Sequence, residues 1–499
     1  MKTFSLSCIL VATALAAHGG VGLTTLVSFG GTNGYYPEAG FIQTADGNLY
    51  GTIEAPYIST ILPYLYQLGF RLTTNGILTP FNVGVLDNAL SKWVQRKYDG
   101  NVYCTGIVGT GTSGGGAVWE FNTNGINTNG TSGFPLGFPV FFDGANGANP
   151  SPFAGLIEGN DGNFYGTTTA GGSNGYGTIF QITFNGRIAS LYSFSGGNDG
   201  ANPIGALVQA SSGTFYGTTA EGGLNNAGTV FSLTTNGTLT TIYSFSGGDD
   251  GYYPATALVQ GRDGYLYGTT EYGGTFNVQN EGCGTVFKIA TNGSLTTLFS
   301  FNGINGANPV APLIQATDGN FYGTTAGGGN TNSLNMANPN GSGGISGGIF
   351  ANGSGTIFKI TPSGAFTTIY SFAPVTHGPG GYINADGAAP TAALLQGVDG
   401  NFYGTTLFGG TNGAGTAFRL SITPDPSLEF TSASLIGNII ILSWIATPGR
   451  NYQVQSSYTL TQTNWMNCGS LIMATNSTAA ASDSVDQTAC RFYRVLLVQ

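Results

Sequence analysis

A Tyr-x-Thr tripeptide recurs seven times along this chain, starting at Tyr50, Tyr103, Tyr165, Tyr216, Tyr267, Tyr322 and Tyr403. The third residue is threonine in every copy, and successive spacings are 53, 62, 51, 51, 55 and 81 residues. A period near 51 residues with two expanded copies means that one supersecondary unit is repeated. Such a unit buries its apolar surface only by stacking on its neighbours.

Each period carries four short runs rich in β-branched and aromatic residues. In the fifth copy they are Ala257–Gln260, Tyr265–Thr269, Gly284–Ile289 and Leu295–Phe301, here called strands a to d. Such residues favour strands. Asp263-Gly264 separates a from b, and Asn292-Gly293 separates c from d. Both dipeptides accept positive φ and signal tight hairpins. No amphipathic helical pattern interrupts the repeats. Four antiparallel strands, seven times over, predict an all-β, seven-bladed β-propeller spanning residues 23–422. The N-terminal run Leu23–Phe29 reads as a d strand, and the last repeat ends on a c strand, Gly415–Leu420. The seventh blade is therefore expected to close by 3+1 pairing, with its d strand taken from the N-terminus.

Composition agrees. Glycine supplies 84 of 499 residues, against about 7% in ordinary proteins, but without the three-residue period of collagen. Hydrophobic residues make up 41%, enough to fill a core, and only 7% are charged. The net charge of −10 argues against a nucleic-acid partner.

The stretch Asp-Gly-x-x-Tyr-Gly-Thr-Thr and its trailing Gly-Gly pairs resemble kelch-type propellers. Residues 239–274 are more closely similar to the tandem repeats of the choice-of-anchor GloVer-containing bacterial proteins. That resemblance implies an exported or surface protein. It implies no catalytic residues.

Residues 1–17 read as a signal peptide, with Lys2 ahead of an apolar run and small residues at 14–17. The mature chain is thus expected to be secreted or at the cell surface, without a transmembrane segment, and monomeric. Pro424-Asp425-Pro426 ends the repeats. Residues 427–499 read as a small fibronectin-like β-sandwich, with strands at 439–444, 452–455 and 491–495. Cys468 and Cys490 lie in this segment and are able to pair, while Cys104 and Cys283 fall in copies too far apart for a disulfide.

Catalytic constellations are sparse. His18 lies at the signal boundary, leaving His377 alone in the mature chain, so no triad or histidine–cysteine zinc set is expected. No phosphate loop fits either, and no cofactor or metal is expected. The repeated Asp-Gly aspartates (Asp46, Asp99, Asp161, Asp263, Asp318, Asp399) read as hairpin turns rather than calcium ligands.

Seven residues before each repeat tyrosine stand Gln43, Arg96, Glu158, Gln209, Gln260, Gln315 and Gln396. With strand a innermost they form a channel ring. Hydrogen bonding between blades accounts for five amides, and Arg96 is expected to pair with Glu158. The a–b and c–d turns share one face. The longer b–c and d–a loops share the other, where copies four and five place Glu221, Asp249, Asp250, Tyr252, Tyr253, Glu271 and Tyr272. Acids beside aromatics suit sugars, which stack on rings and donate hydroxyl hydrogens to carboxylates. The expected role is non-catalytic binding of a glycan or a surface protein. The alternatives are a glycan hydrolase or lyase using Glu221 and Glu271, and a structural envelope protein.

Overall fold

The computed structural model describes residues 21–498 except 32, 55–65, 87–90, 98–99, 108–114, 122–139, 152–153, 184, 276–281, 331–352, 379–380, 423–429, 447, 458–465 and 485–491. Residues 1–17, expected to be a signal peptide, Asp99 and Cys490 lie outside the described residues, as do most of the loops at 53–66 and 326–354. Two compact units divide the chain: residues Leu23–Leu420, and a second unit that includes Ser421–Gln499. Among the described residues there is no helix.

Among the described residues the repeat unit holds seven antiparallel sheets of four or more strands. The fifth is typical: Val259–Gln260, Leu266–Thr270, Thr285–Ile289 and Leu295–Ser300, paired in that order. In the seventh sheet Leu395–Gln396, Phe402–Thr406 and Thr416–Ile422 are completed by Val21–Ser28, which pairs with Thr416–Ile422. The third sheet gains an extra strand, Ala148–Pro150, paired to Phe164–Ala170. The expanded copy-seven loop adds a two-stranded hairpin, Thr376–Gly378 with Gly381–Ile383.

Each sheet seals against the next with aromatic side chains. The phenylalanine ending strand d of one sheet meets the strand-c phenylalanine of its successor edge-on or tilted. Phe142 meets Phe180 at 4.9 Å, Phe194 meets Phe231 at 5.4 Å, and Phe245 meets Phe287 at 5.3 Å. Phe301 meets Phe358 at 5.2 Å and Phe372 meets Phe418 at 5.5 Å. Between the first two sheets the pair is Phe81 and Trp93, at 5.9 Å. The last seam is Phe29, which follows the N-terminal strand, against Phe70 of the first sheet at 5.6 Å. The seams therefore run from each sheet to the next and from the seventh back to the first.

The repeat signature now has physical causes. Its tyrosine donates to the aspartate four residues earlier: Tyr165 to Asp161 at 2.7 Å, Tyr267 to Asp263 at 2.6 Å, Tyr403 to Asp399 at 2.7 Å. The glycine after it leaves room for the strand-c ring, since a Cβ on Gly217 would stand 2.5 Å from Phe231. The threonines bond onward. Thr218 donates to the Thr256 carbonyl of the next copy at 2.9 Å, and Thr219 pairs with Thr229 at 2.8 Å. The Asp-Gly aspartates thus do more than form a turn, because their carboxylates tie turn to strand. In copy two Glu120 of strand c accepts from Tyr103 at 2.6 Å.

The second unit contains a three-stranded sheet (Phe430–Ile436, Ile439–Ile445, Thr478–Ser484) and a four-stranded one (Met466–Asn467, Asn451–Ser457, Ile472–Met473, Phe492–Val498). Both contribute to one core around Leu442, Trp444, Tyr452, Val454 and Tyr493. Cys468 is buried there, with its Sγ 3.6 Å from Asp483. Cys104 and Cys283 are buried in separate clusters of the repeat unit.

Candidate functional site

The residues expected to ring the channel are first a structural belt. The amide of Gln209 donates to the Gly213 carbonyl of its own turn at 3.0 Å and accepts the Asn160 N–H of the preceding copy at 2.8 Å. An amide can do both because it carries a donor and an acceptor. The same acceptor role recurs at Gln260 from Ser211 (3.3 Å), Gln315 from Arg262 (3.0 Å) and Gln396 from Thr317 (2.9 Å). Gln43 accepts from Val398 at 2.9 Å, joining the seventh copy to the first. Glu158 accepts the Lys97 N–H at 3.0 Å.

Arg96 is not the ring residue of copy two. The a–b turn there is one residue longer, closed by Gly100 N–H on the Arg96 carbonyl, whereas Gly47 bonds Thr44 three residues back. The register therefore places Gln95 opposite Val102, and Gln95 donates to Gly100 at 2.9 Å as the other ring amides do to their turns. Arg96 instead reaches into copy three, donating to the Gly162 carbonyl at 3.0 Å, with its guanidinium 5.3 Å from the Phe164 ring.

The opposite ends of the sheets carry a second recurring device. The d–a segment forms an antiparallel bridge to the far end of strand b: Tyr35 to Glu54, Ala148 to Ala170, Ala201 to Glu221, Tyr252 to Tyr272, Ala307 to Gly327, Ala388 to Phe408. The next residue is left-handed in all six, with φ 47° at Tyr36, 52° at Asn149, 54° at Asn202, 61° at Tyr253, 55° at Asn308 and 54° at Ala389. Its N–H reaches back toward strand c of the preceding sheet, as from Tyr253 to the Ala227 carbonyl at 3.2 Å. Asparagine tolerates this conformation, whereas a bulky tyrosine is strained in it.

In copies four and five this link gathers a cluster. The Tyr252, Tyr253 and Tyr272 rings lie 6.0–6.1 Å apart in all three pairings, and all three are half-buried. Burial, then the Glu271 and Glu221 carboxylates, push the Tyr253 phenol up to about 12. Five of the seven sequence-selected residues thus come together: Glu221, Tyr252, Tyr253, Glu271 and Tyr272. Asp250 does not join them. Its carboxylate accepts from the Tyr243 hydroxyl at 2.9 Å, the Ser246 N–H at 2.8 Å and the Ser246 hydroxyl. Asp199 makes the same clamp with Tyr192 and Ser195, so Asp250 shapes its loop. Asp249 is exposed, with its backbone carbonyl accepting from Thr297 at 3.5 Å.

A comparable cluster lies at copy one. Tyr35 and Tyr36 are 6.1 Å apart, and Tyr36 meets Phe408 edge-on at 5.7 Å. Burial, then the nearby Glu54 carboxylate, push Glu38 up to about 7, and burial also raises Glu54. Sequence reasoning missed Glu38, Glu54 and Phe408. The available signal was Glu54 at the end of strand b, where Glu221 and Glu271 also stand. Such clusters offer ring faces for stacking and oxygens for hydroxyl donors. Among the described residues no three histidine, cysteine, aspartate or glutamate side chains gather as a metal site, and no helix is long and apolar enough to cross a membrane.

The Gloeobacter/Verrucomicrobia repeat matches residues 62–280 and again residues 154–373. The chain belongs to that repeat family. In this chain the repeat carries an Asp–Tyr clamp in copies one, three, five, six and seven, and a glycine after the tyrosine in every copy but the second. No curated protein matches the sequence. Among solved structures the chain is similar to a catalytically inactive virginiamycin B lyase from Staphylococcus aureus with quinupristin, at 13% identity and a TM-score of 0.48, covering 81% of this chain and 100% of that one. It is also similar to a protein of unknown function from Dyadobacter fermentans (11% identity, TM-score 0.41, 81% and 100% covered). A Penicillium chrysogenum α-L-arabinanase complexed with arabinobiose is similar as well (11% identity, TM-score 0.40, 78% and 94% covered).

Proposed function

We propose that the seven sheets are the blades of a β-propeller closed by 3+1 pairing, followed by a fibronectin-like sandwich, and that this exported protein binds a glycan without cleaving it. The binding surface is the d–a and b–c loop face. The observation that carries this reading is the Tyr252, Tyr253 and Tyr272 triad beside Glu221 and Glu271. Three part-exposed rings at one loop end give a sugar apolar faces, and the carboxylates give its hydroxyls acceptors. The ring amides are occupied in holding blades together, which leaves the loop face as the variable surface.

A hydrolase is the second reading. Glu38, whose carboxyl titrates near neutrality, has the character of a general acid. One assay separates the two. Purified protein is presented with a polysaccharide panel, and both retention and release of reducing ends are scored. Retention without release is expected. Release abolished by Glu38→Gln, Glu221→Gln or Glu271→Gln would replace binding by hydrolysis.

A further inference from the structure

We propose that Tyr35, Tyr36, Phe408, Glu38 and Glu54 form a second glycan subsite, matching the one at Tyr252, Tyr253 and Tyr272, and that the two together hold one neutral polysaccharide chain. The inference rests on the glycan-binding reading and extends it to a second place and a ligand class.

At the bridge and the left-handed residue after it, three copies carry Ala-Asn (148–149, 201–202, 307–308) and the seventh carries Ala-Ala (388–389). Those pairs make the same bridge and the same turn. Only Tyr35-Tyr36 and Tyr252-Tyr253 depart from them among these six links, and each places a tyrosine at positive φ. Strain retained where asparagine would relieve it points to use of the side chain.

The two departures also share their surroundings. Each tyrosine pair meets a third ring from the end of a strand b, Tyr272 in one case and Phe408 in the other. Glutamates accompany both: the Glu271 and Glu221 carboxylates act on Tyr253, while Glu54, bridged to Tyr35, acts on Glu38. Phe408 belongs to the seventh sheet and Tyr36 leads into the first, so the second subsite straddles the seam that Phe29 closes. The charged groups identified at both clusters are carboxylates, which repel uronates and sulfated sugars and accept hydrogens from neutral ones. The clusters lead into the first and fifth sheets, three seams apart, the widest separation that seven sheets in a ring allow. A polymer long enough to reach both gains avidity that a short oligosaccharide lacks.

The test uses the full chain with Tyr36→Asn, Tyr253→Asn and the double variant, asparagine being what three other copies hold in that conformation. Xylotetraose, cellotetraose, arabinotetraose and chitotetraose are titrated by calorimetry, and retention on the parent polymers is measured in affinity gels. The wild type is expected to take two tetrasaccharides per chain and each single variant one. Polymer retention should weaken about 100-fold in either single variant and vanish in the double. One tetrasaccharide per wild-type chain, lost in Tyr253→Asn and kept in Tyr36→Asn, overturns the second subsite and leaves glycan binding standing. No binding by the wild type to any of these sugars overturns both.

Discussion

Removing the Phe29 ring tests whether the N-terminal strand holds the repeat unit closed. Phe29 is fully buried, its N–H donates to the Gly415 carbonyl at 2.9 Å, and its ring lies 5.6 Å from Phe70. It shares a cluster with Phe41, Leu49, Ile53 and Leu72 of the first sheet and Tyr403, Ala414 and Ala417 of the seventh. Phe29→Ala leaves a cavity lined from both sheets and should cost about 3–5 kcal/mol, as buried Phe-to-Ala changes do. Phe194 is the control. It is equally buried and sits 5.4 Å from Phe231 in a seam formed wholly within the chain's interior sequence. In a closed ring neither seam is an end, so Phe194→Ala should cost about as much. Urea unfolding followed by tryptophan emission reads the loss, since Trp93 and Trp119 lie in the cluster between the first two sheets. A cost under about 1 kcal/mol for Phe29→Ala, beside about 3 or more for Phe194→Ala, would refute the closure argument.

Deleting residues 21–30 should lower the Tm far more than any single core substitution, and an unchanged melt would contradict the pairing of Val21–Ser28 with Thr416–Ile422. The Asp–Tyr clamps should matter in acid. Burial pushes the Asp46 carboxyl up, but hydrogen bonds from Thr44, Asn48 and Tyr50 outweigh it and hold it down at about 2; Asp161 and Asp399 are lowered in the same way. A depressed carboxyl stabilises the fold above its ordinary range and loses that contribution as pH falls toward 2, so Asp161→Asn and Asp399→Asn should each cost about 1 kcal/mol at neutral pH and flatten the acid limb of a Tm-against-pH curve. Glu38 has the opposite sign. Its folded pKa, raised from 4.5 to about 7, favours the fold below 4.5 and loses that contribution as pH rises through 7. Glu38→Gln should therefore remove a decline in stability between about pH 4.5 and 7 of up to about 3 kcal/mol, and an identical decline in variant and wild type would count against the buried carboxyl.

The repeat was legible because turn chemistry and strand periodicity are local. Asp-Gly and Asn-Gly marked hairpins, and a d-like run at the N-terminus with a c-like run at the end of the seventh repeat pointed to the pairing found. The ring position in copy two was missed because counting back from Tyr103 assumes a constant turn length, and one extra residue moved the position from Arg96 to Gln95. Asp250 read as a sugar-binding acid because its clamp to Tyr243 depends on the path of the d–a loop, which composition does not encode. Glu38 and Glu54 escaped notice for the same reason: they lie 16 positions apart in sequence and meet only because Tyr35 bridges to the end of strand b. In the second unit, Thr478–Ser484 is rich in alanine and serine and carries little strand propensity of its own. Pairing with Ile439–Ile445 makes it a strand.

The central claim is that part-exposed tyrosines on the loop face grip a neutral glycan. A crystal structure of the protein with a bound tetrasaccharide tests it most directly. Sugar rings stacked on Tyr252, Tyr253 or Tyr272, with hydroxyls directed at Glu221 or Glu271, are the predicted result. Sugar seated instead on the Asp-Gly turn face, with those tyrosines untouched, would contradict it.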